Sequence, residues 1–563
     1  MFVFNKKLKK KILVKKEIIK LENLKQKVNL FSNHIICKSS NTIKAYSRIC
    51  DHAGGKLISK DGEHICPQHN WKFDPVSGKY SNGIKKKEED FKIINNRLII
   101  KTEESFPIIT KSKKKSLIKI RFFNHAFLKV ETENFKFATD PWAVGPAFNN
   151  GWWLKKKTKI DWIDELNSCD FIYISHNHPD HLHKITLDHV RKNMLFLVPN
   201  YFSRCTEIYL QSLNFQNIFK ADFLNEYKFN NTNLNLSILK SGDFREDSGI
   251  YFSIGDFTAL FAVDSNNINY SNFPKVDLFA SSFAGGATGF PLIFQNYNKK
   301  EKKKIVLNNK NLFKMMRSKE ILKISPNFFL PYAGFFQENY KRDKEIYYLN
   351  KKNKIEDYKK IVNKNSCKLL NVNKYDEFFF KNKKLIFQKN KKIKFYKDFN
   401  KEYYFLNMKK KFNIIDKKYI RDYFRKSNFK DNLILIVSLT NDTFSKINLE
   451  FKVDFSNEKI KVNFCKNFNL NKIKLQKQKY LHIKCRKVPF LNVIHNKEPW
   501  EDLTIGFQCK INRKPNIYNF NFWNYFSNIY ITKKNVRMVS SCYNCTTLFQ
   551  NLSNKLISLN QND

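Results

Sequence analysis

At 563 residues the chain is too long for one ordinary hydrophobic core, which excludes a single small domain and predicts about two to four domains. An apolar share of 42% with 15% aromatic residues excludes a disordered polymer. Lys and Arg number 103 against 51 Asp and Glu, a formal charge of +52. No nucleic-acid-binding signature accompanies that charge, and Lys, Asn, Ile, Phe and Tyr are inflated together, so A/T-rich coding explains it better than a nucleic-acid partner.

The opening "MFVFNKKLKKKILVKKEIIKLENL" is basic but lacks an apolar run before a small-residue cleavage site, and so makes a poor signal peptide. Residues 1–30 are expected to form a basic leader helix, solvated or touching a membrane only peripherally. No apolar run reaches transmembrane length. Eleven cysteines, an odd number without a disulfide-framework pattern, point to a reducing cytoplasm. Residues 31–110 hold turn-punctuated pieces, "GGKLISKDGEHICPQHNW", "DPVSGKY" and "RLIIKTEE", that predict small β-hairpins. A charged linker, "KSKKKS", opens the next segment, 111–345. There the apolar runs "IKIRFFNHAFLKV", "FKFATD", "FIYIS" and "TALFAVD" end in polar or acidic residues, with helical stretches such as "ITLDHVRKNM" between some of them. That pattern predicts α/β layers with functional groups at strand ends. Residues 346–563 are rich in Lys and Asn yet keep the strand-like "NLILIVSL" and "INLEFKVDF", so a third, α+β domain is expected.

Two clusters carry chemistry. Cys50 and His52, then Cys66 and His69, supply two thiolates and two imidazoles. Such a set binds tetrahedral zinc, or a [2Fe-2S] cluster with Cys on one iron and His on the other. Zinc fingers usually run Cys-Cys then His-His, whereas here each arm gives one of each. The flanking "HAGG" and "HNWKFD…SGKY" resemble Rieske domains, which implies that the four residues hold a one-electron relay. With no further Cys in the two loops, the resemblance is to the oxygenase-associated kind. His64 is expected to be an ordinary strand residue.

The second cluster is "SHNHPDHLH", directly after "FIYI". His176, His178, Asp180 and His181 match the His-x-His-x-Asp-His signature of the metallo-β-lactamase fold, in which a turn after a buried strand aims its ligands at one or two metals. His183 and His189 are expected to face solvent. Hydrolases of that fold add further His ligands, but no His lies between 189 and 482 here. Asp264, ending "ALFAVD", stands where a bridging Asp is expected. Asp243 and Asp247 are substitutes for a missing His, or equally turn acids. A carboxylate-rich open site suits non-haem iron at least as well as zinc.

The combination resembles the CMP-N-acetylneuraminate hydroxylase family. "NHAFLKV" (124–130), "TDPWAVGPAFNNGWWL" (139–154), "SSFAGGATGFP" (281–291), "PYAGFF" (331–336) and "WEDLTIGFQCKINRKPNIYNFNFWNYF" (500–526) look like that family beside the two metal motifs. The resemblance implies an α+β multidomain chain: a small all-β Rieske domain, an αββα metallo-β-lactamase-like domain, then a C-terminal α+β domain. It also implies a monooxygenase that converts the N-acetyl group of CMP-N-acetylneuraminate, or of a related N-acylated nucleotide sugar, into N-glycolyl. Such an enzyme uses O2 and electrons from a b-type cytochrome or a ferredoxin with its reductase. An anionic nucleotide sugar should meet cations, aromatic faces and open backbone, for which Arg245, Trp152, Trp153, Gly285 and Gly286 are candidates. The Trp pair is alternatively core, and the Gly pair alternatively shapes a turn. "CYNC" at 542–545 lacks a second Cys pair and reads as incidental. Two competing functions remain: a metallo-β-lactamase-fold hydrolase with an accessory Rieske domain, which predicts zinc and activity without reductant, and a non-enzymatic electron carrier.

Overall fold

The computed structural model describes residues 4–527 except 8–9, 51–56, 61, 67–70, 82–84, 108, 114, 202, 242–245, 266–273, 340, 365, 398 and 465–478. His52, His69, Asp243, Arg245, Cys542 and Cys545 therefore lie outside the described residues.

The centre is a sandwich of two eight-stranded sheets. One sheet takes its middle from Leu234–Lys240, Ser248–Ile254, Phe257–Val263, Leu278–Ser282 and Phe328–Tyr332. The other is built around Leu195–Pro199, Phe171–Tyr173, Lys136–Thr139, Phe127–Glu131 and Ile118–Asn124. The short run "FIYI" shows why both faces of a strand are apolar here. Phe171 and Tyr173 point into the core between the sheets, whereas Ile172 and Ile174 pack outward against Trp162, Leu166 and Leu187 of the helical layer. On the far side the helix Lys299–Ile324 starts at a capping box between Asn298 and Glu301 and sends Ile321 and Ile324 into the core. This is the expected αββα layering.

The sandwich reaches past the boundary expected at 345. Lys368–Leu369 extends the first sheet, and the hairpin Glu377–Lys381/Lys384–Lys389 extends the second by pairing with Ile118–Asn124. After it, a five-stranded sheet centred on Ile434–Thr440 and helices including Lys417–Ser427 and Lys487–Asn496 form the C-terminal α+β unit. Its core is continuous with Trp142, Phe148, Trp152 and Phe336 of the sandwich.

The leader is not a helix. Phe4–Lys7 pairs with Glu226–Phe229 at a sheet edge, and Phe4, buried, packs 4.8 Å from Phe219 and 5.1 Å from Phe229. Lys10–Lys20 pairs along Arg97–Pro107. The physical reason is alternation: Ile19 is 5% exposed while its neighbour Ile18 is 55% exposed, the two-residue period of a strand. Between these strands lie the hairpins of the small β unit: Lys27–Leu30, His34–Lys38 and Ile43–Ser47 form one sheet, and Ile58–Lys60, Glu63–Ile65, Lys72–Asp74 and Lys79–Tyr80 another. No helix among the described residues is long and apolar enough to cross a membrane. The stretch "ITLDHVRKNM" yields only a short helix, Lys184–Leu187.

Candidate metal centres

In the small β unit, Cys50 follows the strand Ile43–Ser47 and Cys66 ends Glu63–Ile65. Both thiols are buried in one apolar cluster with Tyr46, Trp71 and Phe73. The Cys66 amide donates to the Trp71 carbonyl at 2.8 Å, which closes the loop between them. Two thiols buried in one cluster from separate hairpins could supply the soft-ligand half of an iron–sulfur site. His64 is a buried strand residue, as expected, and burial lowers its pKa.

The second site gathers at one rim of the sandwich. His125 sits in the turn between Ile118–Asn124 and Phe127–Glu131, in the left-handed region at φ 37°. Asp140 follows Lys136–Thr139, the His motif follows Phe171–Tyr173, Asp264 follows Phe257–Val263, and Asp247 precedes Ser248–Ile254. Two groups of ligand atoms converge within 4.8 Å: His125, Asp180 and His181, and then His176, His181 and Asp264. His181 belongs to both. Its Nε2 lies 3.5 Å from Asp180 Oδ2 and 3.5 Å from Asp264 Oδ2, and His125 Nε2 is 3.0 Å from Asp180 Oδ2.

These residues fit a metal. Both ring nitrogens of His125, Asp180 Oδ1 and His181 Nε2 are buried yet make no aligned hydrogen bond among the described residues. Buried polar atoms left that way are costly unless something coordinates them. The supporting contacts point the same way. His181 Nδ1 faces Asp140 Oδ2 at 3.2 Å, and Asp140 is itself held by the Ser175 amide and hydroxyl, each at 2.7 Å. A carboxylate behind the imidazole fixes the ring and leaves Nε2 for a metal. Burial pushes against charge on Asp180, but His181 and His125 outweigh it and hold the carboxyl well below its usual range. Burial likewise opposes the charge of His181, and Asp180 and Asp140 outweigh it, so its pKa is raised. Charged groups that compensate one another in this way mark the place a cation would take.

Other expectations are placed differently. His178 joins neither group: its Nδ1 lies 2.9 Å from His176 Nε2, and its Nε2 lies 3.4 Å from Glu501 Oε1 of the C-terminal unit. Burial alone would lower the His178 pKa, but Glu501 outweighs it and the pKa rises to about 9. Asp247 stands behind His176, 3.4 Å from Nδ1. His183, expected at the surface, is buried. Its Nδ1 accepts from the Thr186 amide at the start of the short helix, and its Nε2 meets the Pro146 carbonyl at 3.0 Å. The ring is an N-cap, and burial drives its pKa down to about 4. His189 is exposed, edge-on to Trp162.

Of the substrate candidates, Trp152 is 1% exposed and stacked at 3.6 Å on Phe336, with Nε1 donating to the Ile505 carbonyl. It is a core residue and presents no open face. Trp153 is also buried and lies under Lys401. Gly285 and Gly286 have φ of 67° and 74°, and a Cβ on Gly286 would meet Asn350 Oδ1 at 2.8 Å, so they shape a turn. His125, Asp140 and Glu501 were not singled out from the sequence. His125 and Asp140 do lie within the blocks "NHAFLKV" and "TDPW", directly at strand ends.

Comparison with known proteins finds two domain families in the chain. Residues 8–95 match the Rieske [2Fe-2S] domain family, and residues 119–254 match the beta-lactamase superfamily domain. The chain is 28% identical over 572 residues to the cytidine monophosphate-N-acetylneuraminic acid hydroxylase of Macaca mulatta, covering 93% of this chain and 95% of that one. With the Xenopus laevis protein of the same name it shares 27% over 535 residues, 88% of each chain. Among solved structures, the metallo hydrolase Igni18 of Ignicoccus hospitalis matches at 15% identity with a TM-score of 0.30, covering 45% of this chain and 94% of that one. In its paired metal modules, their order and the length of the match, the chain resembles the CMP-N-acetylneuraminate hydroxylases.

Proposed function

We propose that the protein is a Rieske-dependent monooxygenase that hydroxylates the N-acetyl methyl of CMP-N-acetylneuraminate, or of a related N-acylated nucleotide sugar, to N-glycolyl. The observation that carries this reading is the presence of both modules in one chain whose similarity to the named hydroxylases runs nearly end to end. Cys50, His52, Cys66 and His69 would hold the [2Fe-2S] cluster. His125, Asp180 and His181, with His176 and Asp264, would hold non-haem iron. When bound, these groups supply reduction of O2 and oxidation of an unactivated C–H bond, chemistry no side chain provides.

The chain's own residues do the rest. Asp140, fixed by Ser175, orients His181, and Glu501 orients His178 from across the seam between the two units. Burial of His125, His176, Asp180 and His181 limits water at their ligand atoms and so strengthens the charge interactions among them. Electrons would come from a b-type cytochrome or a ferredoxin with its reductase. The cysteine usage supports work in the reducing cytoplasm.

The test is metal and sulfide analysis with EPR on anaerobically purified, dithionite-reduced protein, followed by assay of CMP-N-acetylneuraminate with O2 and reductant. A Rieske-type signal, iron beyond the cluster and O2-dependent N-glycolyl product are expected. Stoichiometric zinc in the second site with hydrolysis in the absence of reductant would replace this reading with the hydrolase.

A further inference from the structure

At the seam between the sandwich and the C-terminal unit, behind the packed layer of Phe148 and Gly506 that abuts His178, lies a cavity of about 330 Å3. Five cations line it: Lys302, Arg342, Lys344, Arg486 and Lys510. The wall also holds three carboxylates, Asp343, Glu345 and Asp442. Two of these are engaged from outside the cavity, Asp442 by Lys409 at 2.9 Å and Glu345 by Lys299 at 3.5 Å. Inside, Asp442 also acts on Arg342 and Glu345 on Lys302, but Asp343 makes the direct pairs. Arg342 Nη2 donates to its Oδ2 at 2.7 Å and Arg486 Nη2 to its Oδ1 at 2.6 Å.

The five lining cations outnumber the three carboxylates, so the wall keeps a net positive charge, and its two guanidiniums are little exposed, the Arg486 side chain 3% and that of Arg342 11%. Burial, followed by the neighbouring Arg486 charge, draws the Arg342 pKa down to about 10. The cations are also pre-positioned. Arg486 is tied by Nε to the Asp442 carbonyl and by Nη1 to the Phe507 carbonyl, both at 2.8 Å. Its guanidinium lies 4.5 Å from the Phe444 ring, with Lys510 at 4.9 Å from the same ring. Phe444 is set by the turn that joins Ile434–Thr440 to Ile447–Asp454, its amide donating to the Asn441 carbonyl at 3.2 Å.

We infer that this cavity is a binding site for a phosphate-bearing ligand, held through its phosphate oxygens by Arg342, Arg486, Lys344 and Lys510. A tethered guanidinium pair flanked by exposed lysines suits a phosphate's several acceptor oxygens, and the volume exceeds that of a bare ion. None of these residues is among the metal-site residues, so the inference does not depend on which reaction the metal site performs.

Isothermal titration of the full-length, cofactor-loaded protein with inorganic phosphate, CMP and cytidine tests it. Phosphate and CMP should bind and cytidine should not. Tighter binding of CMP than of phosphate would identify a nucleotide as the natural occupant, and equal binding a simple phosphate. Lys344→Glu/Lys510→Glu changes two exposed side chains and should weaken both phosphate probes by about tenfold or more. Cytidine binding as tightly as CMP would overturn the inference. So would unchanged constants in the double variant, which is also the result if CMP occupies only the metal site, or failure of both phosphate probes to bind.

Discussion

Cys50 and Cys66 end neighbouring hairpins of one small β unit, and the motif that names their cluster fits within residues 50–69. His125, Asp140, His181 and Asp264 instead come from four strand ends spread along the sandwich, and Glu501 reaches the same rim from the C-terminal unit. The first site is local and the second is assembled. A local site should survive damage elsewhere in the chain, whereas an assembled one should register damage to any strand, buttress or seam that aims a ligand.

The largest expected effects separate the two sites completely. Cys66→Ser should abolish the Rieske-type EPR signal while metal analysis still finds the second-site metal. His181→Ala removes the residue shared by both ligand groups, and should empty the second site while the cluster signal persists. Loss of both centres in either variant would mean that the two units fold as one, and the contrast would fail.

A sharper comparison lies inside the second site. His178 belongs to the sequence signature but to neither ligand group, whereas His125 lies outside the signature but 3.0 Å from Asp180. His125→Ala should therefore lower metal content more than His178→Ala does, measured by metal analysis after dialysis against a weak chelator. The reverse order would restore the signature as the ligand list.

What the sequence could show follows from how far apart partners lie. Cys50 and Cys66 are legible because each stands two or three residues before a His, and His176, Asp180 and His181 because they share one short stretch. His125 was not, because a lone His at a hairpin corner becomes a ligand only when the strand Phe171–Tyr173 is laid beside Lys136–Thr139, which pairs with its hairpin. The leader's strand Lys10–Lys20 was hidden for the same reason: its partner, Arg97–Pro107, is remote in the chain, and lysine-rich composition resembles that of a solvated helix. The boundary expected at 345 falls short because Glu377–Lys381 returns to the sandwich from within Lys/Asn-rich sequence and pairs with Ile118–Asn124. His183 looked like surface because its role as a helix cap, tied to the Pro146 carbonyl, is made only in the fold.

Asp140→Asn should come next in size. It keeps the side-chain volume but weakens the carboxylate that orients His181, and losses of about 10–100-fold in metal affinity are usual for such partners. Titration of apo-protein with ferrous iron under anaerobic conditions checks this, and the cluster signal should not change.

The smallest effect on either metal comes from a buttress whose residues belong to neither site. The hairpin that carries His125 is held to the helix Trp162–Asn167 by Arg121, which donates to Asp161 at 2.6 Å and to Glu165 at 2.9 Å, and by Lys129, which donates to Glu165. Burial would raise the Glu165 pKa, but Lys129, Lys391 and Arg121 outweigh it and bring it from 4.5 to about 2. A carboxyl depressed in the folded state contributes stability that is complete above its unfolded value and is lost as pH falls through the folded one. Denaturant midpoints should thus decline between pH 4.5 and about 2, and Glu165→Gln should flatten that part of the decline. At neutral pH the same variant should lower the midpoint, because it strands Arg121 and Lys129 without one of their carboxylates. The metal content of the second site should fall only slightly and the cluster signal not at all. A drop in the cluster signal would show that this clamp reaches the small β unit, and that the first site is less local than its spacing suggests.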